Sequence, residues 1–115
     1  MVAKHHAYVP DRSDVVWLDF NPVRGHEQGG RRPALVISSE KYNAKAGLAL
    51  VCPITSQIKG YPFEVEFKTK AVQGVILADQ IRGIDWVQRG AEKIGVVSES
   101  VMTEVQKYIK KLVVE

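Results

Sequence analysis

Apolar residues arrive in short bursts along most of this chain and fall into a helical stripe only at its end. Val15 to Phe20, Pro33 to Ser38, Leu48 to Pro53, Phe63 to Phe67, Gly74 to Ala78 and Ala91 to Val97 are apolar or alternating runs. Gly, Pro, Asn and Lys separate them, which predicts short strands joined by turns. Phe63-Glu64-Val65-Glu66-Phe67 has the cleanest period of two, one face apolar and the other acidic, as for a strand wet on one side. Pro33 falls at a strand start, where a missing N–H donor is tolerated. Tyr42 to Ala46 has room for one short helical turn before Gly47. From residue 98 onward the period changes. Val101, Val105, Ile109 and Leu112, with Tyr108 beside them, form one stripe, Ser98 is placed to cap the helix, and Lys107, Lys110 and Lys111 suit its negative end. Six short strands in so small a chain predict a closed or half-open barrel on which the helix packs.

A second pattern lies across the first. Residues 25 to 38 read Gly-His-Glu-Gln-Gly-Gly-Arg-Arg-Pro-Ala-Leu-Val-Ile-Ser, a glycine-rich loop carrying an acid and two guanidiniums directly into an apolar strand. Glu27 can move a proton, and Arg31 or Arg32 can hold a phosphoryl oxygen. Gly25, Gly29 and Gly30 let backbone approach a ligand closely. That chemistry predicts an anion-handling site; the alternative is a solvated hairpin loop whose acid and arginines pair with each other.

Trp17-Leu18-Asp19-Phe20-Asn21-Pro22 precedes this loop, and Pro53-Ile54-Thr55-Ser56, Lys59-Gly60-Tyr61-Pro62-Phe63-Glu64-Val65 and Leu77-Ala78-Asp79-Gln80-Ile81-Arg82 follow it in order. Together these motifs resemble the MazF/PemK family of toxin endoribonucleases, from about Tyr8 to the terminal helix. The resemblance implies a mainly β, SH3-like (PemK/CcdB-like) barrel with a C-terminal α-helix. It also implies metal-independent cutting of single-stranded RNA at short motifs, by attack of a ribose 2′-hydroxyl on its own phosphate. Such chemistry needs a base, charge for the phosphorane and an acid for the leaving oxygen. The resemblance gives Glu27 the first task and Arg32 the second, and adds Thr55 as a neutral donor to a phosphate oxygen. Arg31 stays outside this catalytic set, and His26 is a neighbouring proton carrier of secondary interest.

Bases are read by edge hydrogen bonds and by stacking on aromatics or guanidiniums. Gln28, Lys59, Asp79, Gln80, Arg82 and Arg89 are the polar candidates for RNA contacts. Asp79 and Gln80 directly follow the apolar Val75-Ile76-Leu77-Ala78 run, where barrel rims host sites. Plainer alternatives are a solvated loop for Lys59 and a turn cap for Asp79. Trp17 and Trp86 offer stacking faces, but Trp17 within an apolar strand is expected in the core. The resemblance further implies a homodimer, inhibition by a cognate antitoxin with an acidic disordered tail, and operator DNA contacted only through the toxin–antitoxin complex. Two other classes remain open: a gyrase-directed toxin on the same fold, and a catalytically silent RNA- or peptide-binding barrel. The first calls for an aromatic residue near the C-terminus, where this chain has Leu112-Val113-Val114-Glu115.

Composition narrows the picture slightly. A chain of 115 residues suits one domain, 1–115, with no linker or repeat to divide it. Sixteen Lys and Arg against thirteen Asp and Glu leave a formal charge of +3, compatible with nucleic acid but too small to imply it. Cys52, the only cysteine, has apolar neighbours and is expected to be a buried structural thiol in a reducing cytoplasm. His5-His6 suits a cloning remnant or a loose terminal arm. No His, Cys and carboxylate cluster has metal-ligand spacing, so neither a metal nor another cofactor is expected. No apolar run approaches the length that crosses a bilayer, and the first residues lack a signal-peptide core.

Overall fold

The computed structural model describes residues 8–20 and 30–115. Among these residues, seven strands and two helices follow in the order β1 (Asp14–Asp19), β2 (Arg31–Val36), α1 (Glu40–Ala46), β3 (Ala49–Thr55), β4 (Glu64–Lys68), β5 (Gln73–Leu77), β6 (Arg82–Ile84), β7 (Glu92–Val96) and α2 (Glu99–Val113). All pairings are antiparallel, in the order β4-β5-β3-β2-β1-β7, with β6 alongside β3.

The sheet curls because β3 changes partners. On one edge its Ala49, Leu50 and Val51 pair with Ile84, Gly83 and Arg82 of β6 and then Ile54 and Thr55 with Ile76 and Val75 of β5, while on the other edge Val51, Cys52 and Pro53 face Val36, Leu35 and Ala34 of β2. Pro53 has no N–H to give to a ladder, so the exchange falls where a donor is missing anyway. A register shift between Val15 and Val16 in the β1–β7 pairing adds a second bend. The result is a half-open barrel of the SH3-like kind with a helix at its end.

Both faces of the central strands are covered, which explains why β1 reads as a continuous apolar run. On one face Val15, Leu35, Cys52, Ile54, Val65 and Ile76 pack against Met102 and Val105 of α2. Ser98 caps that helix as expected, its side chain accepting a hydrogen bond from the Val101 N–H at 3.2 Å. On the other face Val16, Leu18, Phe20, Ala34, Val36, Val51 and Ile84 form a second core that Trp86 closes. The Trp86 indole N–H donates to the Asn43 carbonyl at 3.0 Å. Asn43 is itself fully buried on α1, donating to the carbonyls of Pro10 and Ser38 and accepting from the Ser38 hydroxyl. The hydrogen bonds of this buried amide offset its desolvation cost and tie α1 to the barrel.

The structure corrects three expectations. Trp17 is 37% exposed rather than core: it shares the face of Val15 but lies outside the cluster that α2 covers. Trp86 is buried and its N–H is occupied, so it offers no stacking face. β6 is a seventh strand of three residues, too short to show a period.

Cys52 is buried, as its neighbours suggested. Burial, reinforced by the charge of Asp79, pushes its thiol up from the ordinary 9.0 to about 12. Above pH 9 the unfolded thiol loses its proton while the native one keeps it, so the native state should lose stability as pH rises from 9 toward 12. Replacing Cys52 by alanine should remove that part of the decline in urea unfolding measured across this range, and an unchanged profile would contradict the assignment. Iodoacetamide at pH 8 should label Cys52 only after unfolding.

Candidate RNA-cleavage site

Thr55 ends β3 just past the exchange of partners, 7% exposed, with its hydroxyl oxygen accepting from the Gln57 N–H at 3.2 Å. This short side-chain turn leads the chain out of the barrel and leaves the hydroxyl at the wall of a groove. The groove, about 310 Å³, is lined by Thr55, Gln57, Lys59, Tyr61, Glu64 and Gln80, with Leu77 as its apolar floor. Three of the residues singled out in the sequence, Thr55, Lys59 and Gln80, therefore share one cleft. Gln80 arrives there through the tight turn after β5, its N–H donating to the Leu77 carbonyl at 3.1 Å.

A close approach of backbone fixes Thr55. A Cβ on Gly74 would lie 2.3 Å from the Thr55 carbonyl oxygen and 3.1 Å from its carbonyl carbon. Only glycine lets β5 come this near, and nothing flexible can yield, because the obstructing atoms are backbone. Gly74→Ala should push the two strands apart at Thr55, costing on the order of 1–3 kcal/mol in denaturant unfolding and reducing cleavage at the same time. Wild-type stability in that variant would contradict the contact.

The second group of candidates lies around Phe20 and Gly30, which flank residues 21–29 in sequence. The Phe20 N–H donates to the Gly30 carbonyl at 2.9 Å, and Gly30 takes a positive φ of 78°. Arg82 lies with its guanidinium 5.1 Å from the centre of the Phe20 ring, one nitrogen 3.5 Å from the Phe20 carbonyl. Arg89 donates to the Asp19 carbonyl at 2.9 Å, while the Asp19 N–H donates to the Arg89 carbonyl at 3.2 Å. Arg89 thus braces the end of β1, beside a separate depression shared with Asp19, Asp85 and Gln88. Arg31 pairs with Glu92 and with the Gly90 carbonyl, both partners of the ion pair being exposed.

Arg32, half-buried, pairs with Leu18 across the β1–β2 ladder. It therefore leaves the sheet on the face of Leu18, Ala34 and Val36. Two residues beyond the Ala34–Pro53 pair, Arg32 and Thr55 fall on the same face by strand alternation. Arg82 pairs with Val51, a residue of that same face. Arg32, Thr55 and Arg82 thus share the rim of the second core, although only Thr55 lines the groove. Asp79 is exposed in the turn before Gln80. Glu27, Gln28 and His26 lie outside the described residues.

Sequence reasoning missed Gln57, Tyr61 and Glu64 as groove residues. Tyr61 is 62% exposed with the Lys59 ammonium 6.0 Å from its ring, an aromatic displayed to solvent where a folded domain normally hides one. Its signal was present in the block Lys59 to Val65. Among the described residues no group of three or more His, Cys, Asp or Glu is placed to hold a metal ion, and no helix is long and apolar enough to cross a membrane.

Curled sheet, terminal helix and rim groove define a small SH3-like half-barrel with a polar cleft at the end of its central strand. The chain belongs to the PemK-like, MazF-like toxin family of type II toxin-antitoxin systems, whose family model matches residues 11–113. It is 46% identical over 106 residues to the endoribonuclease toxin MazF of Escherichia coli K12, covering 92% of this chain and 96% of that one. Endoribonuclease EndoA of Bacillus subtilis is 39% identical over 105 residues, covering 86% and 90%. Among solved structures, MazF from Deinococcus radiodurans superposes with a TM-score of 0.87 at 50% identity, covering 91% of this chain and 96% of that one. A MazE-MazF complex from the same organism matches at 0.82, with the same identity and coverage.

Proposed function

We propose that this chain is an endoribonuclease toxin that cuts single-stranded RNA, folds as one domain and acts as a homodimer restrained by a cognate antitoxin. Its substrate would be cytoplasmic messenger RNA, with loss of translation and growth as the consequence. Operator DNA would be met only in company with the antitoxin. The observation that carries this reading is the convergence of Thr55, Lys59 and Gln80 on one groove. Family membership supports it, as do the relatives named endoribonucleases and the neighbour solved with MazE.

The chemistry follows from what RNA brings. Its 2′-hydroxyl is already next to the phosphorus, so the protein needs to remove one proton, stabilise a growing charge and exclude wrong geometries. Glu27 takes the proton from the 2′-hydroxyl. The 2′ oxygen bonds to phosphorus, the bond to the 5′ oxygen breaks, and that oxygen takes up a proton, leaving a 2′,3′-cyclic phosphate and a 5′-hydroxyl. Arg32 offers two parallel N–H donors to the phosphorane oxygens, and Thr55 adds a neutral donor. Lys59 and Arg82 supply positive charge along the backbone path, while Gln28, Asp79 and Gln80 present edges that a base can pair with. Arg89 contributes by holding the strand end that leads into the Glu27 segment.

End-group mapping tests this chemistry. Fragments should carry a cyclic phosphate at the 3′ side and accept phosphate from polynucleotide kinase at the 5′ side. Thr55→Ala should slow cleavage about tenfold, the worth of one hydrogen bond of roughly 1.4 kcal/mol. Fragments with 5′-phosphate ends would refute attack by the 2′-hydroxyl.

A further inference from the structure

Glu64 has a position that neither the wet face of a strand nor the reaction accounts for. It opens β4, half-buried, and its carboxylate turns back over the preceding loop. One oxygen accepts from the Gly60 N–H at 3.0 Å, and both oxygens share the Lys59 N–H at 3.2 and 3.3 Å. Its own N–H donates to the Tyr61 carbonyl at 3.1 Å, so side chain and backbone clasp the same loop from two sides. Gly60 sits at φ +77°, the left-handed conformation that lets successive N–H groups converge on one acceptor. Every residue of this clasp except Gly60 lines the groove beside Thr55 and Gln80.

An acid in a groove meant for a polyanion should weaken binding, since each carboxylate repels phosphate. Here its charge is spent on two backbone donors of the protein itself. Charge-assisted bonds of that kind are stronger than neutral ones and fix the loop that carries Lys59 and Tyr61. We infer that Glu64 is a positioning residue: by clasping the N–H groups of Lys59 and Gly60 it holds the Lys59–Tyr61 loop in the shape that seats RNA on Thr55. It touches no reacting atom. Its effect therefore belongs to substrate binding, and an uncharged side chain of the same length, which keeps one accepting oxygen and loses the charge, should replace it in part.

This inference rests on the RNA-cleaving reading of the groove, and its test separates the two. Steady-state cleavage of a short single-stranded RNA is measured for wild type, Glu64→Ala and Glu64→Gln, alongside hydrogen exchange at the Lys59 and Gly60 amides and thermal unfolding. Glu64→Ala should raise KM about tenfold, the loss of one charge-assisted hydrogen bond, with kcat within about twofold of wild type. Its Lys59 and Gly60 amides should exchange faster. Glu64→Gln should recover part of both KM and protection, falling between Ala and wild type. A Glu64→Ala protein with wild-type KM and protection would overturn the inference. So would a drop in kcat at unchanged KM, a Gln variant no better than Ala, or global unfolding of Glu64→Ala, which would make the residue a pillar of the fold. If the wild type cuts no RNA, the functional reading fails by itself, and amide exchange still decides whether Glu64 clasps the loop.

Discussion

Arg32→Ala should reduce RNA cleavage by about 10²–10³-fold, the usual loss when a preorganised donor to a developing oxyanion is removed. The residue leaves β2 at the rim, on the same face as Thr55 and opposite Leu18, where strand geometry rather than a loop sets its direction. A guanidinium in that position suits a phosphorane for two reasons. Its planar fork matches two oxygens at once, and its positive charge opposes the negative charge that grows on them. Lysine keeps the charge and loses the fork, so Arg32→Lys should recover only part of the rate. Half-burial at the rim keeps the structural cost small, and the alanine variant should unfold within about 1 kcal/mol of wild type. Activity and urea unfolding measured on one preparation check both halves. A folded Arg32→Ala protein cutting at the wild-type rate would remove Arg32 from the mechanism.

The largest effect on stability should come from Trp86→Ala, at about 3–5 kcal/mol. Trp86 is buried in the second core against Val16, Leu18, Phe20 and Ile84, so truncation leaves a large cavity between β1, β2 and β6. It also removes one of two donors to the Asn43 carbonyl, leaving the Gly47 N–H, and Asn43 holds α1 to the chain at Pro10 and Ser38. Truncation should therefore loosen α1 together with the core. Trp86→Phe keeps most of the buried area and gives up one hydrogen bond and some volume, so it should cost roughly 1–2 kcal/mol. Chemical denaturation of the three proteins distinguishes these terms, and equal stability of Ala and Phe variants would show that packing at Trp86 matters little.

How far such features are legible in sequence depends on the range of the interaction behind them. The β4 pattern is local: Val65 and Phe67 are buried and Glu66 is exposed, as a period of two requires. The stripe and Ser98 cap of α2 are equally local, and the structure agrees with them. Trp17 misleads because Val15-Val16-Trp17-Leu18 is apolar on both faces. Sequence cannot show where the cover provided by α2 ends. β6 escapes because three residues hold no period. Its place beside β3 is set by the register of Val51 with Arg82.

The site divides in the same way. Thr55, Lys59 and Gln80 are flagged by ordered motifs, and folding brings them into one cleft. Arg89 is flagged for the groove, yet its side chain reaches the Asp19 carbonyl. Gly74 and Glu64 pass as an ordinary strand residue and a solvated acid. The reasons they matter are a carbonyl carried in by another strand and a loop folded back on itself, neither of which composition or spacing records.

The most direct test of the account is incubation of the purified protein with a long single-stranded RNA in excess EDTA, with cut positions mapped by primer extension. Discrete cuts at a short recurring sequence, lost in Arg32→Ala, are the expected result. Intact RNA from a folded protein, or cutting that EDTA abolishes, would contradict it.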